Sequence, residues 1–242
     1  MRQSTIIGLG IAASIVAWQA SPELPALARG LTAFLVGVFP AFSVVQAQAV
    51  GQLEVLPSRN KLYASTILSL WGLAFATALI ASESRMDPRL LGVSELPWKT
   101  FFLWLGFALI GVAALILAFK AFGVAETRMI HHMIPQSRIE KVVYVGVSAT
   151  AGICEELVFR GFLIAALIAA TGSVPLAVII SAGTFGVAHA HQDATGALRA
   201  TLLAFVLTVP LLATGSLYPG IAAHALVDLI AGLWLSNWLL KS

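Results

Sequence analysis

Charged residues and cysteines are both scarce in this sequence. Asp, Glu, Lys and Arg make up 10% of its 242 residues, against about 25% in ordinary soluble domains. Hydrophobic residues make up 59%, and the mean hydropathy is +0.94. Polar side chains are too few to cover a water-soluble globule, so the composition predicts a protein embedded in a membrane.

The single cysteine, Cys154, excludes a disulfide bond within the chain. No Cys-x-x-Cys pattern or Cys/His cluster indicates a structural metal site. The net charge of +3 comes mainly from Lys and Arg between the apolar runs. It predicts contacts with lipid headgroups and does not indicate a nucleic-acid partner.

Apolar runs long enough to cross a bilayer recur along the chain. Because a helix crosses with about 20 residues, we predict an all-α, polytopic transmembrane bundle of about eight spans. The runs lie near 4–20, 27–50, 62–82, 98–122, 142–170, 174–191, 196–214 and 217–240. No internal repeat or linker is visible, so 1–242 is interpreted as a single membrane-embedded domain. The distribution of Lys and Arg between the loops favours both termini in the cytoplasm.

Ionisable residues that we assign to the interior of apolar runs are confined to the C-terminal half. They are Glu155, Glu156, Arg160, His189, His224 and Asp228. A charged side chain at the bilayer centre costs about 2.5–3.5 kcal/mol. These groups must therefore pair with one another inside the bundle, which would be a structural role, or face a wet cavity, which would indicate chemistry.

Two adjacent glutamates precede an arginine in the fifth run. Glu156 and Arg160 are four apart on a predicted helix over 151–161, with Glu first, which favours an ion pair. Glu155 points about 100° away, so the same arginine cannot easily serve both carboxylates. The spacing predicts one paired carboxylate and one spare, and a spare carboxylate in a cavity can act as a general base. The alternative is that Arg160 clamps both.

Two further elements place polar groups on apolar spans. His189 follows Phe185 by four residues, and His224 precedes Asp228 by four, so each pair shares a helical face. A lone histidine on an apolar helix is more often a satisfied core residue or an interface group than a ligand, and His191 is interpreted in that way. A His–Asp pair could also do no more than tether two helices.

The rise of a helix places Glu155 and His189 at the same depth. Each lies about 15 residues, or roughly 23 Å, from the predicted turn at 171–173. His224 lies only about seven residues, or about 10 Å, beyond the turn at 215–220, which is too shallow. We therefore predict that this second turn is re-entrant, as irregular backbone can be where it is buried in protein.

Together the three elements resemble the CPBP family, the intramembrane peptidases that include type II CAAX prenyl proteases and bacterial Abi proteins. The family pattern is E-E-x-x-x-R, then F-x-x-x-H, then H-x-x-x-N or a similar polar residue. In this sequence the pattern reads Glu155-Glu156…Arg160, Phe185…His189 and His224…Asp228. The resemblance covers about 140–240, the expected catalytic core, whereas 1–125 carries no family signature.

The resemblance implies an intramembrane endopeptidase of the bacterial inner (plasma) membrane. Its partner would be a membrane-associated protein or peptide, cleaved near its C-terminus. Glu155 would activate a water, His189 would help to hold it, and His224 with the residue at 228 would stabilise the oxyanion. The expected catalytic residues are Glu155, His189, His224 and Asp228. The expected supporting residues are Glu156, Arg160 and Phe185.

Metal dependence stays open at this point. Glu155, His189 and His224 could form a zinc site with an open position for water. No His-Glu-x-x-His pattern fixes that ligand set, and our interpretation leans towards a reaction without metal. Asp228 departs from family members with Asn. An ionised Asp cannot donate to an oxyanion, so Asp228 is protonated, orients His224 or binds a metal.

Two other classes of function fit the same charges. A proton-coupled transporter would use intramembrane Glu, Arg and His. It should also show helix breaks in corresponding positions of two halves, whereas these charges lie in one half. A non-catalytic membrane partner, such as an immunity protein, needs only packing and loops. The Gly-x-Ser-x-Gly, Gly-x-Gly-Asp and His-Glu-x-x-His patterns of other intramembrane proteases are absent from the sequence.

Overall fold

The computed structural model describes residues 1–124 and 127–234, and its regular elements there are all helical. This confirms the predicted all-α polytopic bundle. The helices, numbered in chain order, are α1 (Gln3–Gln19), α2 (Ala26–Gly51, with a π-helical part at Phe34–Val38), α3 (Arg59–Glu83), α4 (Trp98–Ala121), α5 (Arg128–Met133), α6 (138–171), α7 (Val174–Ala188), α8 (Asp193–Thr214) and α9 (Tyr218–Leu233).

Within the described residues, four helices are long and apolar enough to cross a membrane: α2, α3, α4, and α8 with the turn that precedes it. The shorter apolar helices are α1, α7 and α9. Each of the eight predicted runs thus overlaps a helix, with the last run, 217–240, described only as far as 234, and α5 is a short additional helix between α4 and α6. The predicted domain limits at 125 and 240 lie outside the described residues.

Helix α6 begins at a capping box and changes its winding at the site. The Ser137 hydroxyl accepts a hydrogen bond from the N–H of Glu140, whose carboxylate accepts the N–H of Ser137 at 3.0 Å and of Gln136 at 2.7 Å. These N–H groups, that of Ser137 first, hold the pKa of Glu140 below its usual range. The helix is α-helical over Arg138–Glu155 and π-helical over Glu156–Leu163.

The π-helical segment corrects the prediction of one regular α-helix over 151–161. Winding changes at Glu156, one residue after Glu155. The wider turn holds Glu156 and Arg160 on the buried side of the helix, where both are almost fully enclosed. A hydrophobic pattern read at 3.6 residues per turn does not show such a change, which is imposed by packing and occurs frequently at functional sites.

Two apolar clusters position the helices around the site. In the larger cluster, Phe159 and Phe162 of α6 pack with Leu31 and Leu35 of α2. The N-terminal spans therefore support the helix that carries both glutamates. In the smaller cluster, Val112 of α4, Leu207 of α8 and Ala223 of α9 pack together. This contact places α4 and α8 beside the helix that carries His224.

The turn between α8 and α9 is buried in protein. Ser216 and Leu217 are 0% and 3% exposed. The Leu217 N–H donates to the Gly92 carbonyl at 2.9 Å, and the Ser216 hydroxyl donates to the Ser94 carbonyl at 3.2 Å. The turn thus meets the condition for irregular backbone at membrane depth. Its position below the headgroups stays a prediction.

Helices α6 and α9 approach closely at Gly152. A Cβ atom at this position would lie 2.8 Å from the Ile221 carbonyl oxygen and 2.9 Å from the Ala225 Cβ. We expect Gly152→Val to lower the melting temperature in detergent by roughly 5 °C. Overpacking costs about 1–3 kcal/mol, and each kcal/mol shifts the melting temperature of a chain of this size by about 2–4 °C.

The matched control is Gly72→Val in α3, where a Cβ would have no atom within 4 Å. Thermal unfolding of the two variants by circular dichroism compares them directly. Equal losses would show that the α6–α9 contact has no special need for glycine.

Candidate active site

Polar side chains from three helices meet at one cavity of about 270 Å³. Glu155 comes from α6, Phe185 and His189 come from α7 and its end, and His224 and Asp228 come from α9. The four expected catalytic residues and Phe185 thus line a common space. Apolar side chains of α4 and α8 form much of the remaining wall, among them Val112, Ile116, Leu203 and Leu207.

Glu156 and Arg160 lie behind the cavity and hold His224. Glu156 is 0% exposed and Arg160 is 1% exposed. Arg160 Nη1 lies 3.3 Å from Glu156 Oε1, in the geometry of an ion pair rather than of an aligned hydrogen bond. The same carboxylate oxygen accepts a hydrogen bond from His224 Nδ1 at 2.8 Å. One buried carboxylate therefore balances the arginine and orients the imidazole.

Phe185 connects the arginine to α7. The Arg160 guanidinium lies 4.2 Å from the centroid of the Phe185 ring, a cation–π geometry. The Phe159 ring meets the same ring edge-on, with centroids 5.1 Å apart. Phe185 thus links the buried guanidinium to the aromatic part of the core.

Glu155 occupies a different position from its neighbour. Among the described residues, the ion pair of Arg160 is with Glu156, and Glu155 lies beside His224 instead. Its Oε2 atom is 3.6 Å from His224 Nε2, and its side chain is 12% exposed. Glu155 is therefore the glutamate whose carboxylate can reach a molecule in the cavity.

The contacts of His224 show where protons must lie around its ring. With Nδ1–H donating to Glu156, Nε2 faces Glu155 Oε2 at 3.6 Å and Asp228 Oδ2 at 3.8 Å. A bare lone pair on Nε2 would face two carboxylates and be repelled by both. A proton must therefore lie on Nε2 or on one of these two carboxyl groups.

His189 lies at the end of α7. The helix ends at Ala188, so the prediction that His189 lies within a continuous helical run is corrected by one residue. Its Nδ1 is 2.8 Å from the Phe185 carbonyl oxygen. Because a carbonyl oxygen only accepts, Nδ1 carries a hydrogen, and Nε2 of the neutral ring is an acceptor. His191, predicted to have no role in the site, is exposed on the following turn.

Within residues 1–124 and 127–234, no group of three or more His, Cys, Asp or Glu side chains could hold a metal ion. The zinc ligand set considered above, Glu155, His189 and His224, does not gather in this way. Nδ1 of His224 is bonded to Glu156 and Nδ1 of His189 to the Phe185 carbonyl, so each ring keeps Nε2 as its remaining nitrogen. The arrangement of the described side chains as a whole does not fit a zinc ion.

Two features of the site were not predicted. The hydrogen bond between Glu156 and His224 joins residues 68 positions apart, and no local pattern indicates it. Arg199 and Lys120 also line the cavity. Arg199 did leave a signal, since it lies within the apolar run 196–214 and belongs among the intramembrane ionisable residues.

The fold and the site narrow the class of protein. A multi-span helical bundle with carboxylates and imidazoles around an internal cavity meets the requirements of an intramembrane protease, and a proton-coupled transporter uses the same groups. Residues 138–230 match the family model described as type II CAAX prenyl endopeptidase Rce1-like. The match confirms the resemblance to the CPBP and CAAX protease family, and it supports an integral membrane protease with a membrane-associated substrate. No curated protein and no solved structure matches the chain.

Breaking the buried ion pair should be strongly destabilising. Removing Arg160 leaves an uncompensated carboxylate at Glu156, and breaking such a pair costs about 3–5 kcal/mol. We expect Arg160→Met to lower the free energy of unfolding by that amount, measured by denaturant titration in detergent micelles. Arg29→Met, whose arginine lies over the Trp18 ring, is the control and should cost less than about 1 kcal/mol.

The double variant Glu156→Gln/Arg160→Met tests whether the two charges act on each other. Its loss should be clearly smaller than the sum of the two single losses, because neither charge is then left alone. Additive losses would contradict a coupled pair.

Proposed function

We propose that this protein is an intramembrane endopeptidase that cleaves a membrane-associated protein or peptide near its C-terminus with a water activated by Glu155. The observation that carries the proposal is the contact of Glu155 with His224 at the cavity, 3.6 Å between Oε2 and Nε2. The buried pair behind them fixes the imidazole by its other nitrogen. One carboxylate is thus left for chemistry while the other supports the site.

Glu155 acts as the general base. It takes a proton from a water in the cavity, and the water oxygen attacks the carbonyl carbon of the scissile peptide bond. His189 accepts the second hydrogen of this water at Nε2, because its Nδ1–H is held by the Phe185 carbonyl. The water is thereby oriented by two acceptors.

His224 stabilises the oxyanion that forms on the carbonyl oxygen. As an imidazolium it donates Nδ1–H to Glu156 and presents Nε2–H to the cavity. A donor fixed before reaction is the most effective form of oxyanion stabilisation. Asp228 is the most exposed of the three carboxylates, with a side chain that is 38% exposed, and in its ionised form it stabilises the positive ring.

Collapse of the tetrahedral intermediate completes the reaction. Glu155 returns its proton to the leaving nitrogen, and the C–N bond breaks. The acyl product still carries the second proton of the water as a carboxylic acid, and it loses this proton to the released amine. The products are therefore a new C-terminal carboxylate on the membrane-bound part and a released C-terminal peptide with an ammonium N-terminus.

The walls of the cavity favour an apolar substrate. Val112 and Ile116 of α4 and Leu203 and Leu207 of α8 line it. Such a wall suits the lipid-modified C-terminal tail that the name of the matching family implies. The enzyme would then act within the bacterial plasma membrane, with both of its termini in the cytoplasm.

Replacing Glu155 tests the proposal. We expect Glu155→Gln to lower kcat at least about 100-fold with little change in KM, because a positioned general base contributes about 10²–10⁴. Cleavage of a prenylated peptide by the purified protein in proteoliposomes is followed by mass spectrometry of the released C-terminal fragment.

Glu23→Gln removes an exposed carboxylate near the N-terminal end of the sequence, is the matched control and should keep full activity. Thermal unfolding checks that the Glu155 variant folds. A folded Glu155→Gln protein with undiminished activity would remove Glu155 from the mechanism. If its cellular function were also intact, a non-catalytic membrane partner would be favoured.

Replacing Asp228 separates its possible roles. If the ionised carboxylate stabilises protonated His224, Asp228→Asn lowers kcat by about tenfold or more, since one charge contact at this distance contributes about 1.4 kcal/mol or more in a shielded site. If Asp228 is instead a neutral donor to the oxyanion, the Asn variant has equal or higher activity. The measurement is the kcat ratio of the two proteins on one peptide.

A further inference from the structure

A serine of α7 binds the main chain of α6 within the π-helical segment. The Ser181 hydroxyl donates to the Phe159 carbonyl with 2.7 Å between the oxygens, and both residues are buried. Phe159 lies in the middle of the π-helical segment Glu156–Leu163. Within residues 1–124 and 127–234, this is the one hydrogen bond that runs from α7 to α6. No step of the proposed reaction uses Ser181.

The second π-helical segment of the chain is bound by a serine in the same way. It comprises Phe34–Val38 of α2. The Ser14 hydroxyl of α1 donates to the Ala33 carbonyl at 2.8 Å and accepts the Val38 N–H at 3.1 Å. In a π-helical turn the main-chain hydrogen bonds span five residues instead of four, and a side chain from a neighbouring helix can take part in such altered winding. Each segment is therefore held by a hydroxyl from the helix packed against it.

The other contacts between this part of α6 and α7 have little directional preference. The Phe159 and Phe185 rings meet with centroids 5.1 Å apart, and the Arg160 guanidinium lies over the Phe185 ring. Ring and apolar contacts survive small shifts of one surface along the other, because burial is not directional. A hydrogen bond between hydroxyl and carbonyl requires a short, defined distance. Ser181 therefore sets the level of α7 on α6.

That level determines how His189 lies relative to Glu155. Ser181, Phe185 and His189 follow one another at intervals of four on α7 and its end, so they share one side of the helix. Helices α6 and α7 are consecutive and antiparallel, joined by the turn at 172–173. From the Ser181 contact, Glu155 on α6 and His189 on α7 both lie in the direction of the cavity. A slip at the contact would therefore move the imidazole relative to the carboxylate.

We propose that Ser181 is a positioning residue, whose hydrogen bond to the Phe159 carbonyl fixes the π-helical segment and places His189 beside Glu155. The inference rests on the proposed function, in which these two groups orient the attacking water. A slip of one residue along a helix is about 1.5 Å, and a misplacement of about 1 Å in a reacting geometry can cost about 100-fold in rate. A small movement of α7 would thus be enough to reduce turnover.

The first test removes the hydroxyl. We expect Ser181→Ala to lower kcat about tenfold with KM changed less than about twofold, because the water is misplaced while the substrate-binding walls are kept. Ser181→Thr keeps a hydroxyl and should restore most of the rate. Cleavage of a prenylated peptide in proteoliposomes gives both constants. If Ser181→Ala does not fold, Ser181→Cys, a residue of similar size with a weaker donor, takes its place.

Ser14→Ala is the matched control. It removes the serine that binds the other π-helical segment, and Ser14 does not line the cavity. Its kcat should stay within about twofold of that of the unaltered protein, because α1 makes no contact with the reacting groups. An equal loss of kcat in both serine variants would mean that Ser181 acts only through general stability, and the proposal would be wrong.

A double variant tests whether Ser181 acts through His189. In a chain that already carries His189→Ala, the further change Ser181→Ala should lower kcat less than about twofold, since the group to be positioned is gone. A full tenfold loss in that background would contradict the proposal.

Hydrogen–deuterium exchange of the full chain in detergent provides a measurement without turnover. We expect Ser181→Ala to speed exchange at least about threefold in the peptides that cover 156–163 and 182–189, because local opening is governed by local contacts. Ser14→Ala should speed exchange around 34–38 instead. Unchanged exchange in Ser181→Ala would overturn the proposal. If exchange changed as expected and the unaltered protein cleaved no peptide, the placement of α7 by Ser181 would stand, and the proposed function would be the part that failed.

Discussion

A single buried carboxylate holds the site together. Glu156 binds Arg160 and His224 through the same oxygen, at 3.3 and 2.8 Å. Two charges enclosed in a bundle are costly unless each is compensated, so α6 and α9 cannot separate without exposing one of them. The geometry of the imidazole, and therefore of everything that faces its second nitrogen, depends on this contact.

The adjacent residues Glu155 and Glu156 of α6 therefore have different roles. Glu156 faces the packed interior, whereas Glu155, one residue earlier and at the last α-helical position, faces the cavity. The change of winding between them separates a structural carboxylate from a reactive one. The change of winding thus lies beside the residue that must be held in place. A fully enclosed arginine is tolerated because its ring partner, Phe185, and its carboxylate shield it.

Much of this architecture can be read from the sequence, because hydrophobic length and helical spacing are local properties. The eight helical runs and the clustering of charges in the C-terminal half follow from composition alone. The spacing of Glu156 and Arg160 also indicated their ion pair. The π-helical winding and the contact of His224 with Glu156 could not be predicted, since both arise from packing between distant segments. The loop that buries the turn before His224, which includes Gly92 and Ser94, is also distant in the sequence and could not be predicted.

The loop that covers this turn limits how far the chain can be shortened. The matched segment, 138–230, holds every group of the proposed reaction, yet the acceptors for Ser216 and Leu217 lie outside it, between α3 and α4. A chain shortened to this segment would leave these two donors without acceptors at the start of α9. It would also lose the loop against which that end of the helix packs. The N-terminal spans, which carry no family motif, therefore stabilise the structure of the C-terminal half.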